Sequence, residues 1–360
     1  MKDIKDILLH NETLFKNEDV FDPEYMPPTI LHRDSEIREI VLALKPALRK
    51  SKPLNVLIHG PVGSGKTTVI RYVFDQIRET TGDAYCVYIN CEDSSTPYAI
   101  FSKIYESIFH LLAPSTGKPL EELKERIFKK LIKEDRSLIV ALDELDRLFS
   151  NKMVSQILID LLKAHLTYGF DKVGVVGIMI DSKLMAFLDE KSRSVFNPVS
   201  VEFRRYNKEE VEDILEERIR LGLYPGVLKK DAFQKIVQLT LAEGSDIRFA
   251  LQLIKRSVLL AEYDSMKEVT IDHVEKAYKK FFGKEKFSSL LSEEERMVLE
   301  TIKKSSEKTS GKIYEKVRKE FGMSMKKYWQ IVKKLEEKGF IKSKYREGIR
   351  GRSREFIVTE

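Results

Sequence analysis

Residues 60–67, GPVGSGKT, place Gly60, Gly65, Lys66 and Thr67 at the spacing G-x-x-x-x-G-K-[ST]. Glycines in such a loop let backbone N–H groups approach phosphate oxygens, and the N-terminus of a following helix attracts negative charge. The lysine of the motif reaches the β- and γ-phosphates, and its hydroxyl residue binds Mg²⁺. The spacing therefore predicts a site for ATP or ADP with Mg²⁺. The loop residues predicted to contact the nucleotide are Gly60, Pro61, Val62, Gly63, Ser64, Gly65, Lys66, Thr67 and Thr68.

Two acids, Asp143 and Glu144, follow the apolar run SLIVAL at 137–142. A carboxylate at the end of a buried strand is costly unless it has a task. Asp143 is predicted to hold Mg²⁺ through water, together with Thr67, and Glu144 to orient or deprotonate the attacking water. Alone, the pair could equally be a cluster at a helix N-terminus, but the loop at 60–67 favours the functional interpretation.

Short apolar runs separated by helical patterns must position these residues. The runs lie at 55–59, 84–90, 137–142, 172–180 and 198–203. Strands that alternate with longer helices predict a five-stranded parallel sheet covered on both faces, which is an α/β P-loop core. From residue 207 the strands stop and amphipathic helical patterns take over. We therefore predict a core over 1–206, an all-helical domain over 207–285 and a separate C-terminal domain over 286–360.

The positive charge of the chain is concentrated at its C-terminal end. The whole chain has 63 Lys and Arg against 57 Asp and Glu, whereas residues 290–360 have 19 against 12. This excess indicates a polyanionic partner, although a solvated lysine-rich surface is the simple alternative. The apolar runs are far shorter than the roughly 20 residues of a membrane helix, and the charged N-terminus does not resemble a signal peptide. We expect a cytosolic protein without a membrane partner.

The C-terminal domain has the pattern helix (Ser292–Lys303), helix (Lys312–Phe321), helix (Met325–Glu337), strand, turn, strand. On the third helix, Tyr328, Ile331, Val332 and Leu335 share an apolar face. Trp329 is assigned to the core, with exposed contact as the alternative. The opposite face carries Lys326, Lys327, Gln330, Lys333 and Lys334, where a recognition helix meets the major groove.

The two final strands enclose a turn rich in arginine, which fits phosphates and narrow minor grooves better than lysine does. This pattern is typical of a winged helix with a basic wing, and the alternative is a winged helix used for protein contacts. The residues predicted to bind duplex DNA are Lys326, Lys327, Gln330, Lys334, Arg346, Arg350, Arg352 and Arg354.

The combination of LDELD at 142–146, five strands and a helical lid resembles the AAA+ ATPases. More narrowly, it resembles the archaeal replication initiators related to the eukaryotic origin-recognition complex and the cell-division-cycle loader. YMPPTILHRDSEI, SSTPYAIF, FLDEKSRSVF and GSDIRFALQLIKRSVLLAE carry this resemblance. It implies that Arg248 reaches the γ-phosphate from the lid, whereas the residues alone would favour a surface salt bridge. It also implies that Arg193 serves a neighbouring subunit's nucleotide, with the nearby Lys191 as the alternative in the alignment, and that His32 and Arg33 lie near the adenine.

One position departs from the family pattern. The sensor-1 strand of the family ends in an asparagine that helps to position the hydrolytic water, whereas Ile180 stands in that place here, followed by Asp181. Asp181 could substitute only if the register slipped by one residue, which would turn its side chain to the other face. We therefore predict nucleotide binding with slow hydrolysis.

The resemblance implies an ATP-dependent, origin-binding initiator of archaeal DNA replication, located at the nucleoid. Its implied partners are double-stranded origin DNA, a sister initiator paralogue and the replicative helicase. The rival interpretation is a P-loop ATPase that remodels proteins and uses its winged helix for protein contacts. The insertion that begins near Thr96–Tyr98 contacts DNA in relatives, but Glu92 and Asp93 precede it here. The sequence leaves open whether its tip contributes little to DNA binding or packs on other elements.

Overall fold

The computed structural model describes residues 13–114, 119–149, 153–282, 292–305, 309–337, 340–345 and 354–358. The chain forms two compact units, Met1–Val274 and Glu275–Glu360, which are described separately. No helix in these described ranges is long and apolar enough to cross a membrane.

A five-stranded parallel sheet in the order β2-β3-β4-β1-β5 forms the centre of the first unit. The strands are β1 Val56–His59, β2 Ala84–Asn90, β3 Ser137–Asp143, β4 Val173–Met179 and β5 Val199–Glu202. The five predicted strands are confirmed. Strands β1, β3 and β4 are buried along almost their whole length, as expected of strands covered on both faces, whereas three of the four residues of the edge strand β5 are exposed. Since β4 lies between β1 and β3, its carboxyl end falls between the loop after β1 and the acids at the end of β3.

Two apolar cores cover the two faces of the sheet, and successive strand residues alternate between them. Val56 and Ile58 belong to one core and Leu57 to the other. Cys86 and Cys91 likewise belong to opposite cores, and both are free thiols. Burial raises the pKa of each thiol to about 12.

Helices pack against both faces and continue into the lid. In chain order they are α1 Asp34–Leu44, α2 Lys66–Thr80, α3 Pro97–Phe109, α4 Leu120–Glu134, α5 Asp146–Phe149, α6 Met153–Leu162, α7 Ala164–Tyr168, α8 Glu190–Phe196, α9 Lys208–Gly222, α10 Lys230–Ala242, α11 Ile247–Tyr263 and α12 Ile271–Ala277. Helix α12 crosses from the first unit into the second. Short 3-10 helices span Glu18–Phe21, Lys45–Arg49 and Ser182–Phe187.

The start of the insertion is part of the core packing. Thr96 caps α3, its hydroxyl accepting a hydrogen bond from the Ala99 N–H at 3.1 Å. Ile100, Phe101 and Ile104 on that helix are fully buried. The first helix of the insertion therefore packs on the core, whereas the role of the tip of the insertion stays open.

The N-terminal segment is attached to the lid. Phe15 and Phe21 are buried, and the N–H groups of Lys16 and Asn17 donate to the Gly222 carbonyl at 2.8 and 3.1 Å. A Cβ at Gly222 would lie 2.4 Å from the Phe21 ring, so a larger residue would separate α9 from this segment.

The second unit contains α13 Glu293–Lys304, α14 Ser310–Phe321 and α15 Met325–Glu337, followed by the antiparallel strands β6 Ile341–Tyr345 and β7 Arg354–Val358. A π-helical segment spans Tyr278–Phe282. Ser292 caps α13 through a capping box with Glu295. Tyr328, Ile331, Val332 and Leu335 of α15 lie in the apolar core, as the pattern predicted. Three helices followed by a hairpin give the predicted winged-helix arrangement.

Candidate nucleotide site and basic helix

The loop between β1 and α2 depends on its glycines. Gly63 and Gly65 have φ values of +75° and +91°, in the left-handed region. A Cβ would lie 2.1 Å from the Asp246 carboxylate at Gly63 and 2.8 Å from the Tyr206 hydroxyl at Gly65. Both the backbone angle and the lack of space therefore require glycine. The loop leads directly into α2, as a phosphate-binding loop must.

Lys66 is a partly desolvated cation at this loop. Its ammonium group donates to the Gly60 and Pro61 carbonyls at 2.7 and 2.8 Å. Burial lowers the pKa of Lys66, and Asp143 opposes this effect while Arg248 reinforces it. An anion bound beside Lys66 would stabilise its protonated amine and so oppose the effect of burial on its pKa.

Asp143 is held by three donors. Its Oδ2 accepts hydrogen bonds from the Thr67 hydroxyl at 2.6 Å and the Tyr88 hydroxyl at 2.8 Å, and its Oδ1 accepts from the Glu144 N–H at 2.9 Å. Asp143 is only 5% exposed. A hydroxyl and a carboxylate side by side are hard oxygen ligands of the kind that Mg²⁺ prefers, so this pair fits the ion.

Glu144 has an unusual backbone and an unusual charge environment. Its φ is +53°, which costs a non-glycine residue about 1–2 kcal/mol. Burial raises the pKa of the Glu144 carboxyl, and the neighbouring Glu92 and Asp143 raise it further, while Arg147 opposes them. Such strain and such a pKa are typical of functional sites rather than of structural surface acids.

A cavity of about 330 Å³ connects these residues. Its wall combines the lead-in segment at residues 23–31, the phosphate loop, the carboxyl ends of β2, β3 and β4, and the lid. The lining includes Tyr25, Met26, Ile30, Lys66, Thr67, Asp143, Glu144, Ile180, Ile214, Arg248 and Leu251. The structure thus brings together the predicted loop, the two acids and Arg248. A concave site that joins apolar side chains to converging charges suits a nucleotide.

Arg248 reaches the cavity from the first turn of α11. Its Nε lies 3.8 Å from Asp246 Oδ1, and its side chain is 53% exposed. The Asp246 carboxylate caps α11 by accepting from the Arg248 N–H at 2.9 Å. Arg248 is therefore placed where the resemblance expects an arginine that reaches a phosphate.

His32 and Arg33 are engaged with protein groups. Arg33 is fully buried, with Nε donating to the Ser64 carbonyl at 3.1 Å and its guanidinium 4.0 Å from the centre of the Tyr206 ring. His32 Nε2 lies 2.9 Å from Asp213 Oδ2. Arg33 therefore holds the phosphate loop through the Ser64 carbonyl, while residues 23–31 supply part of the cavity wall. Contact of either side chain with adenine stays a prediction.

Ile180 lies at the carboxyl end of β4 and lines the cavity, 51% exposed. Its carbonyl accepts a hydrogen bond from the Gly60 N–H at 3.2 Å, which places it beside the loop. Asp181 instead caps the next 3-10 helix, accepting from the Lys183 N–H at 2.9 Å. The residue assigned from the sequence to the sensor-1 position therefore brings an apolar side chain to the cavity.

Arg193 lies on α8, outside the lining of the cavity in the described part of this chain. Its guanidinium donates to the Leu188 carbonyl at 3.0 Å, and the residue is exposed. A role towards a neighbouring subunit stays a prediction.

Four of the predicted DNA-binding residues lie on α15, and all four are exposed: Lys326, Lys327, Gln330 and Lys334. Lys327 forms an ion pair with Glu294 of α13. Ser324 precedes the helix, with its hydroxyl 3.4 Å from the Lys327 N–H. Trp329 is half-buried and lies edge-on to Tyr328, so the assignment of its side chain to the core is partly correct.

The wing is described only in part. Arg354 lies at the start of β7, with its guanidinium 5.3 Å from the centre of the Trp329 ring. Arg346, Arg350 and Arg352 lie outside the described residues. Their DNA contacts stay predictions.

Sequence reasoning missed three residues that support the site: Tyr88, Tyr206 and Asp246. Tyr88 lies within an apolar strand and Tyr206 between core and lid, so neither position carried a recognisable motif. The signal that could have indicated Tyr88 is parallel pairing, which sets β2 beside the strand that ends in Asp143.

Comparison with known proteins establishes the family. Residues 29–167 match the AAA ATPase domain, and residues 212–279 match the Cdc6 AAA+ ATPase-type lid domain. The ORC1-type DNA replication protein 2 of Methanothermobacter thermautotrophicus is 36% identical over 99% of this chain and 95% of its own length. This chain belongs to the ORC1-type DNA replication proteins.

Solved structures agree with membership of the ORC1-type family. The Aeropyrum pernix ORC1 protein in complex with DNA has a TM-score of 0.75 and 28% identity, covering 96% of this chain and 93% of that one. The Aeropyrum pernix ORC2 protein, solved as ADPNP-ADP complexes, has a TM-score of 0.65 and 21% identity, covering 96% and 94%. The second likeness supports the AAA+ fold alone. Membership of an AAA+ ATPase family implies a nucleotide-binding site, and the loop geometry fits one.

Proposed function

We propose that this protein is an initiator of DNA replication that binds origin duplex DNA and uses ATP or ADP with Mg²⁺ as a slow switch. The observation that carries the nucleotide part is the convergence of Lys66, Thr67, Asp143, Glu144 and Arg248 on one cavity. Its working parts are the core at 1–206, the lid at 207–285 and the winged helix at 286–360.

Different residues of the cavity bind the phosphates, the metal ion and the attacking water. Lys66 and Arg248 supply positive charge to the β- and γ-phosphates, and Thr67 and Asp143 hold Mg²⁺, which would neutralise the phosphate oxygens. Glu144 orients the attacking water. Because Ile180 cannot hydrogen-bond to that water, hydrolysis is slow and the bound nucleotide persists as a signal.

The exposed basic face of α15 supports the DNA part. The charges of Lys326, Lys327 and Lys334 suit a major groove lined by phosphates, and the basic wing adds to them. Glu294 holds Lys327 by an ion pair that is half-exposed to solvent, which a phosphate can replace at little cost. In the family context, a sister initiator and the replicative helicase are the partners recruited after DNA binding.

Fluorescence anisotropy with labelled duplex DNA across a salt series tests the DNA proposal. We expect affinity to fall steeply with salt, and the triple variant Lys326→Ala, Lys327→Ala, Lys334→Ala to reduce the salt slope by about 3. A matched control is Lys208→Ala, Lys229→Ala, Lys230→Ala, which removes the same charge from exposed positions of the lid. Equal slopes for the two triple variants would contradict the proposal, and brisk ATP turnover without DNA binding would favour a protein-remodelling ATPase.

A further inference from the structure

Tyr88 makes an unexplained contact with the acid of the proposed metal site. Its hydroxyl donates to Asp143 Oδ2 at 2.8 Å, on the same oxygen that accepts from Thr67 at 2.6 Å. A carboxylate has about four positions for donors, and three of them are filled here, including the Glu144 N–H. The carboxylate is therefore held in one orientation.

The tyrosine is itself fixed from two sides. Parallel pairing sets Tyr88 beside Ala141 of β3, two residues before Asp143. From α2, the Arg71 guanidinium lies 4.5 Å from the centre of the Tyr88 ring. A cation over an aromatic face is attractive, so the ring is held between the strand and the helix.

This arrangement continues to the lead-in segment. Arg71 also forms an ion pair with Glu24, and Glu24, Arg71 and Tyr88 all line the cavity. A continuous set of contacts therefore runs from the lead-in wall through Arg71 and Tyr88 to Asp143.

We propose that Tyr88 is a positioning residue for the metal ion, and this inference rests on the nucleotide site proposed above. Its hydroxyl orients the Asp143 carboxylate so that an oxygen remains available to a water molecule of Mg²⁺. Residues that orient a metal ligand in this way commonly change metal affinity 10–100-fold when they are lost. Because the Tyr88 hydroxyl donates to Asp143, its loss should change the Mg²⁺-dependent part of nucleotide binding more than the part that persists without metal.

The test is Tyr88→Phe in the full chain, because phenylalanine keeps the ring beneath Arg71 and removes only the hydroxyl. The matched control is Tyr85→Phe on the same strand. The Tyr85 hydroxyl donates to Glu134 at 2.6 Å and its ring lies 5.1 Å from the Arg136 guanidinium, so a carboxylate and an arginine surround it in the same way, away from the cavity.

Binding of a fluorescent ADP analogue is measured in EDTA and then across a Mg²⁺ titration. For Tyr88→Phe we expect the half-saturating Mg²⁺ concentration to rise roughly 10-fold, with a much smaller change of affinity in EDTA. The EDTA affinity also reports that the variant is folded. Tyr85→Phe is expected to match the wild type in both conditions.

Two results for Tyr88→Phe would overturn the inference while leaving the nucleotide site intact. One is a Mg²⁺ dependence equal to that of the wild type, and the other is an equal loss of affinity with and without metal. If the wild-type protein itself failed to bind the analogue, the proposed nucleotide site would be wrong and this inference would fall with it.

Discussion

Gly63 of the phosphate loop lies directly against Asp246 of the lid, so closely that a Cβ at Gly63 would approach Asp246 Oδ1 to 2.1 Å. Asp246 also caps α11, the helix that carries Arg248. The loop that would hold the phosphates therefore touches the residue that begins the phosphate-facing helix of the lid. Because the contact leaves no free space, neither element can move towards the other without displacing it.

Replacement of Gly63 by alanine is expected to weaken ADP binding at least 10-fold. The methyl group must push Asp246 and α11 away from the loop, in addition to the backbone cost of about 1–2 kcal/mol at this φ. Gly226→Ala is the matched control, because Gly226 has a similar φ of +84° and nothing within 4 Å of a new Cβ. Isothermal titration calorimetry measures both affinities, and equal ADP affinities for the two variants would show that the contact is unimportant.

Lys66→Met is expected to remove the stabilisation of the protein by nucleotide. Burial disfavours the protonated amine and lowers the pKa of Lys66, but the hydrogen bonds to the Gly60 and Pro61 carbonyls favour it, so the melting temperature without nucleotide should change little. The same variant should lose the stabilisation by Mg·ADP, which reaches about 2.7 kcal/mol for a ligand at 100 times its Kd. Thermal melting with and without Mg·ADP measures both effects.

The exposed Lys103, which pairs with Glu106, provides the control for this variant. Lys103→Met should keep the full shift of the melting temperature with Mg·ADP. A comparable shift in Lys66→Met would argue against a phosphate-binding role for Lys66.

Glu144→Gln is expected to stabilise the protein at neutral pH and not at low pH. The folded-state pKa of Glu144 is raised, so folding disfavours the ionised carboxylate that exists above the ordinary pKa of glutamate. Glutamine removes this cost, and the gain should disappear as the pH falls and the carboxyl becomes protonated in both states. Because the side chain is 39% exposed, solvent screening keeps the gain below about 1 kcal/mol.

Denaturant unfolding of Glu144→Gln and the wild type at pH 7.5 and pH 4 measures this difference. Glu125→Gln on α4 is a suitable control, since that side chain is 52% exposed and pairs with Lys129. A loss of stability in Glu144→Gln at pH 7.5 would contradict the assigned charge environment.

Arg248→Ala is expected to weaken ATP binding roughly 10-fold more than ADP binding. A charge-assisted hydrogen bond to the γ-phosphate is available only with ATP and contributes about 1.5–3 kcal/mol. Competition between the two nucleotides, measured with a fluorescent analogue, gives the ratio of affinities directly. Arg256→Ala, farther along α11 and outside the cavity lining among described residues, should leave this ratio unchanged. An unchanged ratio of ATP affinity to ADP affinity in Arg248→Ala would show that Arg248 does not bind the γ-phosphate.

Periodicity and motif spacing predicted the parts of the protein in which neighbouring residues share one environment. The inner strands β1, β3 and β4 were predictable because their residues are predominantly apolar, and the buried face of α15 because Tyr328, Ile331 and Val332 recur at helical spacing. The phosphate loop was predictable because its glycines and Lys66 are adjacent in the chain.

Contacts between distant segments were not predictable from one sequence. Arg33 contacts the carbonyls of Ser64 and Arg204 and the Tyr206 ring, which come together only after distant segments of the core have packed. From its neighbours in the sequence, Tyr88 is predicted only to be a strand residue. The pairing of β2 with β3 is needed to show that its hydroxyl donates to Asp143.

The most direct test of a nucleotide switch is the affinity of the full chain for duplex DNA in three states: without nucleotide, with Mg·ADP and with Mg·ATP. Fluorescence anisotropy at one fixed salt concentration provides this comparison. We predict that the wild-type affinity differs between the loaded and unloaded states and that Lys66→Met abolishes the difference. Equal DNA affinities in all three states, with the nucleotide shown to be bound, would contradict the switch.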